Sequence, residues 1–182
     1  MVNETLTKTK WAIDAAHSEI AFKVKHLMIS NVKGSFKAFD GTVYANDNTF
    51  TDAEITVNVN ISSIHTGDEK RDGHLQGADF FDAENFETAT FTSALLKKKS
   101  DGDFELTGNL TLKGITKPIT LQVEFGGMMK DPWGNEKVGF TVTGKINRKD
   151  WGLNWNAALE AGGVLVSDDV HINADIQLMK SA

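Results

Sequence analysis

The chain has 182 residues, 40% of them hydrophobic and 24% charged, and its 25 acidic and 19 basic residues give a net charge of -6. This length fits a single domain, 1–182, because each half alone would bury too little apolar surface to offset its chain entropy. The negative charge disfavours nucleic-acid binding, and the absence of Cys excludes disulfides, thiolate metal sites and Cys nucleophiles.

Residues 1–10 are predicted to form a flexible or peripheral N-terminal segment. They lack the apolar stretch of a secretory signal, and no window of the chain has the roughly 18 apolar residues of a membrane span. As written, the chain is therefore expected to be cytoplasmic. A mature form from which a leader had been removed would instead be periplasmic.

Alternating apolar and polar residues fill almost every segment between turns, which is the pattern of half-buried β-strands. The second strand changes its apolar parity between Phe36 and Phe39, beside Gly34 and Gly41, which indicates a bulge or bend. In chain order the eight predicted strands lie at about 19–26, 32–44, 53–61, 91–97, 104–112, 119–125, 138–146 and 170–178.

Between the third and fourth strands the period changes from two residues to that of a helix. Thr66-Gly67-Asp68-Glu69 matches a capping box in which Thr66 is the N-cap, so a short helix is predicted over about 67–78. The helix should close one barrel end. One of its faces and the two apolar residues after it carry Arg71, His74, Leu75, Ala78, Phe80 and Phe81.

Eight strands with one apolar face each must hide those faces and their edges. An all-β, eight-stranded antiparallel barrel does both, and a two-sheet sandwich is the alternative. The inner face combines large side chains such as Phe91 and Phe140 with small ones such as Gly108 and Gly144. A barrel of this size either is filled by its own side chains or holds one slender ligand, and periodicity alone leaves both open.

Two ionisable residues, His26 and Arg148, continue the apolar parity of their strands, and burying an unpaired charge is expensive. Both could lie at one end of the lumen, where structural ion pairs with Asp72, Asp150 or other nearby carboxylates are favoured over catalysis. The five histidines show no metal-ligand spacing, and no Gly-flanked Ser nucleophile or phosphate-binding Gly-rich loop occurs. No catalytic residue, metal or cofactor is therefore expected.

Several runs of residues, taken in order, resemble the YceI-like family of lipocalin-like, polyisoprenoid-binding proteins. The resemblance covers nearly the whole chain. Its motifs include Trp11-Ala12-Ile13-Asp14, His17-Ser18-Glu19-Ile20, Val32-Lys33-Gly34-Ser35-Phe36, Phe80-Phe81-Asp82, Leu110-Thr111-Leu112-Lys113-Gly114 and Asn147-Arg148-Lys149-Asp150-Trp151-Gly152-Leu153.

This resemblance implies a barrel whose lumen holds an isoprenoid tail, free or attached to a quinone-like head, for sequestration or transport rather than catalysis. It also implies export and a homodimeric state for some members, transient membrane contact, and a mouth at the cluster of Trp151, Leu153 and Trp155. The alternatives are a stress-response interaction domain with a filled core, and a lipid-modifying enzyme. The expected ligand-binding residues are Phe22, Val24, His26, Phe36, Phe39, Val57, Arg71, His74, Leu75, Phe80, Phe81, Phe91, Phe140, Arg148, Trp151 and Trp155.

Overall fold

A computed structural model of the chain describes residues 8–46, 50–157 and 165–181, and most of these residues lie in β-strands. They also contain one α-helix, α1 (Glu69–Gln76), and no helix among them is long and apolar enough to cross a membrane. The strands are β1 (Thr9–Ile13), β2 (Glu19–His26), β3 (Ser30–Phe36), β4 (Phe39–Ala45), β5 (Glu54–Asn60), β6 (Ile64–His65), β7 (Thr88–Ser100), β8 (Asp103–Leu112), β9 (Ile115–Lys130), β10 (Glu136–Asn147) and β11 (Val166–Lys180).

Six of these strands combine in pairs into interrupted strands, which we call staves. β1 and β2 form the first stave, β3 and β4 the second, and β5 and β6 the third, because β1 pairs with β4, β2 with β3, β4 with β5, and β3 with β6. Strands β7 to β11 are one stave each, and β11 pairs with both β1 and β2. The result is a closed antiparallel barrel of eight staves, which confirms the predicted architecture over the sandwich.

The second stave bends where its apolar parity changes. Strand β3 ends at Phe36 and β4 begins at Phe39. Between them, the amide of Lys37 donates to the carbonyl of Ser63, and the carbonyl of Ala38 accepts from the amide of Asn60. These bonds hold the bend against the third stave, so the change of parity predicted a real interruption.

The first stave begins earlier than the sequence pattern indicated. The predicted strands start at Glu19 and omit β1, which begins at Thr9, inside the segment predicted to be peripheral. Trp11 of β1 is 1% exposed and its ring lies 5.3 Å from that of Phe50. The remainder of the predicted peripheral segment, residues 1–7, lies outside the described residues.

Helix α1 lies within the predicted range, but its predicted N-cap is wrong. The side chain of Asp68, not that of Thr66, accepts from the amides of Lys70 and Arg71. The hydroxyl of Thr66 donates to Asp72 Oδ1 at 2.5 Å and accepts from Arg71 Nε at 2.8 Å. Thr66 lies two residues before the N-cap position, and its hydroxyl instead fixes two side chains of the first helical turns.

A mostly buried ion pair joins the first stave to β10. Asp14, between β1 and β2, accepts a bond of 2.6 Å from Lys137 Nζ, and the two side chains are 16% and 14% exposed. His17 Nδ1 lies 2.8 Å from the same carboxylate oxygen. The bond from Lys137, followed by that from His17, holds the pKa of Asp14 below its ordinary value.

We expect Asp14→Asn to destabilise the barrel by about 2 kcal/mol at neutral pH, because a charged hydrogen bond is lost at a mostly buried site. The loss should shrink at low pH. Since the folded-state pKa is the lower one, the stabilisation is complete above the ordinary value of about 3.9 and disappears as the pH falls through the folded value.

Urea unfolding at neutral and acid pH measures both effects. Asp169→Asn is the control, because Asp169 lies 3.9 Å from Lys145 and both side chains are more than half exposed. It should change the free energy of unfolding by less than about 0.5 kcal/mol. An equal loss in both variants would contradict the role assigned to Asp14.

Candidate ligand-binding lumen

The barrel encloses two adjoining cavities. The larger, which we call the outer cavity, measures about 510 Å³ and is lined in part by α1. The smaller, the inner cavity, measures about 210 Å³ and reaches towards β1. Both are lined by Ile20, Val59, Leu110 and Ile172, so they are two parts of one lumen. The outer cavity alone lies within the range of about 300–1,000 Å³ typical of ligand pockets.

The inner cavity is apolar, since the described side chains that line it are aliphatic or aromatic except for Thr42. A tightly packed group of side chains lies beyond it, which we call the end cluster. Its members are Trp11, Val43, Ala45, Phe50, Val138 and Leu178, none of them more than 6% exposed. Within the described residues, this cluster closes the lumen at the β1 end.

The outer cavity differs from the inner one in carrying charge. Its polar lining residues among the described ones are all bases, and none is a carboxylate or a hydroxyl: Lys25, His26, Lys70, Arg71, His74 and Arg148. Such a set can donate hydrogen bonds to carbonyl or anionic oxygens of a ligand, and it disfavours a cationic ligand. The lumen therefore has one apolar end and one basic end.

The bases differ in whether their hydrogen-bond donors are already bonded within the protein. Arg71 donates to the hydroxyl and the carbonyl of Thr66, both at 2.8 Å. In the part of the chain that the structure describes, the side chains of Lys25, His26 and Lys70 make no hydrogen bond or ion pair. These three are consequently the donors best placed to meet a polar group of a ligand.

Aromatic rings cover the outer cavity beside α1. The ring of His74 lies 4.8 Å from that of Trp155 and 5.1 Å from that of Phe80, both edge to face. Phe81 lies against Phe36, with 6.2 Å between ring centroids. His74 Nε2 also lies 3.1 Å from Asp79, a carboxylate outside the cavity lining.

Large side chains occupy the space that inward-facing glycines leave. A Cβ atom at Gly34 would collide with the ring of Phe22, and one at Gly108 would collide with the ring of Phe91. The mixture of large and small side chains on the inner face therefore does not by itself open the lumen. The rings of Phe22 and Phe91 line the cavities, and the two glycines that they cover do not.

Comparison with known proteins identifies relatives of this chain. A family model described as the YceI-like domain matches residues 11–178. The chain belongs to the YceI-like domain family. UPF0312 protein SAS2572 of Staphylococcus aureus is 43% identical over 170 residues, which are 93% of this chain and 96% of the relative. The family resemblance predicted from the ordered motifs is confirmed.

Solved structures share the fold of this YceI-like chain. A cysteine mutant of the Campylobacter jejuni YCEI protein is 35% identical and superposes with a TM-score of 0.76 over 93% of this chain and 96% of its own. A polyisoprenoid binding domain from Saccharophagus degradans is 16% identical and gives 0.70 over 94% and 98%. The latter similarity shows the fold alone.

Of the sixteen residues predicted to bind ligand in this YceI-like domain, fourteen line the lumen. Val57, Phe91 and Phe140 line the inner cavity. Phe39 is half-buried but lines neither cavity. The outer cavity receives Phe22, Val24, His26, Phe36, Arg71, His74, Leu75, Phe80, Phe81, Arg148 and Trp155.

Trp151 is placed differently from the exposed mouth residue that the resemblance implied. It is 2% exposed, and its indole N–H donates to the carbonyl of Leu110 at 2.9 Å. It lies in the 3-10 turn Arg148–Trp151, where both its ring and its one polar atom are satisfied within the protein. Of the three residues predicted to form the mouth of this YceI-like chain, Leu153 and Trp155 line the outer cavity.

Arg148 lies at the lumen end as its parity predicted. Its nearby carboxylate is Asp168 rather than Asp72 or Asp150, and backbone carbonyls accept its hydrogen bonds. Arg148 is 3% exposed. Burial lowers its pKa, and Asp168, 4.0 Å away, acts in the opposite direction. Its guanidinium donates to the carbonyls of Leu153, Trp155, Val166 and Ser167 at 2.5 to 3.3 Å.

The sequence pattern missed several lining residues of the YceI-like domain. Lys25 alternates to the wet face of β2 and reaches the cavity only because β2 ends there. Lys70 lies off the predicted apolar face of α1, so helical spacing gave no signal for it. Leu165 and Val166 come just before the alternating part of β11, where no period had yet been established.

Proposed function

We propose that the chain binds a long apolar lipid in its lumen, as a polyisoprenoid or an isoprenoid quinone, and sequesters or transports it without chemical change. The observation that carries this proposal is the adjoining pair of cavities, apolar at the inner end and basic at the outer end. A slender amphipathic molecule matches that arrangement along its whole length. The polyisoprenoid-binding relative with the same fold supports the choice of an isoprenoid chain.

The driving force would be transfer of the chain from water into the lumen. Each 100 Å² of apolar surface buried contributes about 2.5 kcal/mol, so a tail that fills both cavities offsets the entropy lost on association. A quinone-like head would accept hydrogen bonds from Lys25, His26 or Lys70 at the outer end. No bond needs to be made or broken.

Two features favour binding over the alternatives considered from the sequence. The cavities count against an interaction domain with a filled core. An enzyme acting on lipids would need a nucleophile or a pair of acid and base groups held against the ligand. The described lining of the outer cavity offers only basic side chains as polar groups, with no hydroxyl nucleophile and no carboxylic acid beside them.

The test is to extract the protein, purified without detergent from cells that make isoprenoid lipids, with organic solvent and to identify the released molecules by mass spectrometry. We expect one long-chain apolar lipid in near-stoichiometric amount. Stripped protein should take up a polyprenol or a long-tailed quinone and return it unaltered. Protein that is empty and takes up neither probe would refute the proposal, and a chemically altered lipid would refute binding without catalysis.

A further inference from the structure

The turn between β2 and β3 presents three consecutive large apolar side chains to solvent. Leu27, Met28 and Ile29 are 39%, 52% and 82% exposed. Leu27 and Met28 have φ angles of 53° and 62°, a left-handed conformation that usually selects Gly, Asn or Asp. Neither solvation nor turn geometry accounts for apolar residues here, so this tip is built for contact with something apolar.

The outer face of the same hairpin carries uncompensated positive charge. Lys23 lies directly opposite Lys33 across the β2 and β3 pair, and Lys25 is the next residue on that face. All three are exposed, and within the described residues none forms an ion pair or a side-chain hydrogen bond. Like charges placed opposite each other on a sheet destabilise it.

Neighbouring carboxylates do not relieve this repulsion. Asp168 and Asp169 lie on β11 beside the hairpin, but Asp168 lies 3.4 Å from Lys149 and Asp169 lies 3.9 Å from Lys145. In a chain of net charge -6 this face is therefore a local positive patch. An anionic surface would complement it.

The tip also lies at the rim of the outer cavity. Val24, Lys25 and His26 line the cavity immediately before the turn. The amide of Leu27 donates at 2.9 Å to the carbonyl of Leu165, another lining residue. Whatever the tip inserts into is thus adjacent to the outer cavity.

We propose that this hairpin docks the protein on the surface of a membrane that contains anionic lipids. Leu27, Met28 and Ile29 enter the boundary between head groups and acyl chains, while Lys23 and Lys33 contact lipid phosphates. Docking brings the outer cavity to the bilayer, so that a lipid can pass between them. This last step rests on the proposed function, whereas docking itself does not.

The test is co-sedimentation of the whole chain with vesicles of phosphatidylcholine, alone or mixed equally with phosphatidylglycerol. We expect binding to the mixed vesicles that weakens as salt is raised, and at least tenfold weaker binding to phosphatidylcholine alone. The double variant Met28→Asn, Ile29→Ser should lose binding at least tenfold, since Asn tolerates the left-handed turn. Lys23→Gln with Lys33→Gln should remove the preference for anionic lipid without loss of stability.

Trp133→Ala is the matched control. Trp133 is 84% exposed at the turn between β9 and β10. That turn lies at one end of β10, whereas the hairpin tip lies near the other end, at Asn147. Its removal should leave vesicle binding unchanged. Equal vesicle binding by wild type and the tip variant, or loss of binding in Trp133→Ala alone, would overturn the proposal. So would self-association that the tip variant abolishes in the absence of vesicle binding, since that result would assign the tip to a second copy of the chain.

Uptake of a polyprenol added from ethanol, without vesicles, separates this proposal from the proposed function. The tip variant should take up the polyprenol as the wild type does, but acquire it from vesicles at least tenfold more slowly. Failure of wild type to take up the free polyprenol would refute the proposed function and leave docking to be decided by co-sedimentation. Equal transfer rates from vesicles would refute the docking role.

Discussion

Val57→Trp is expected to remove the affinity that a long isoprenoid chain gains over a short one, while leaving the barrel folded. Val57 faces the inner cavity, which measures about 210 Å³, and an indole there would fill much of that space. Overpacking should cost about 1–3 kcal/mol, which a closed barrel of this size tolerates. A short prenyl alcohol should still bind, because the outer cavity of about 510 Å³ stays open.

Binding of prenyl alcohols of increasing length to stripped protein measures this effect. We expect affinity in the wild type to rise with chain length, and in Val57→Trp to stop rising once the chain fills the outer cavity. Thr56→Trp is the control, since Thr56 is the preceding residue on β5 and is exposed on the outer face. The same length dependence in both variants would show that the inner cavity holds no ligand.

Arg148→Met should have the largest effect on stability of any substitution proposed for this chain. The variant preserves much of the side-chain volume but leaves four carbonyls of the Leu153 to Ser167 region without their shared donor. Breaking a buried charged network of this kind costs roughly 3–5 kcal/mol. The midpoint of urea unfolding should therefore fall strongly, with outer-cavity binding lost in parallel.

Lys149→Met is the control for that experiment, because Lys149 is the exposed neighbour that shares Asp168 with Arg148. Its unfolding free energy should change by less than about 1 kcal/mol. If Arg148→Met instead kept wild-type stability and lost only the preference for a quinone over a plain polyprenol, Arg148 would be a head-group contact rather than a structural anchor.

The strands of this barrel could be predicted because the alternation of apolar and polar residues along a strand shows which of its side chains face the core. The parity change between Phe36 and Phe39 even located the bend of the second stave. Strand β1 escaped prediction because its five residues are too few for a clear alternation, and a 3-10 turn separates it from β2. Its burial depends on partners more than thirty residues away in β4.

The candidate site was predictable to a smaller extent, for a physical reason. Parity showed that His26 and Arg148 face inwards, but not that Arg148 binds carbonyls of a later segment, since backbone acceptors leave no mark in the sequence. Nor could composition show which glycine is covered by which ring, as with Gly34 under Phe22. The direction in which a side chain points can be read from its own strand. The free volume inside the barrel depends instead on pairs of residues on different strands.

Within the described residues, the end cluster closes one end of the lumen, so a bound lipid can lie in only one direction. A lipid would have to enter with its tail first and leave with its head first at the outer cavity, since Trp11, Phe50 and their neighbours close the opposite end. The terminal methyl groups of the tail would then touch the same side chains in every complex. A tail longer than the lumen would have to fold back or extend outside it. The depth of the barrel would therefore limit the length of tail that can be fully enclosed.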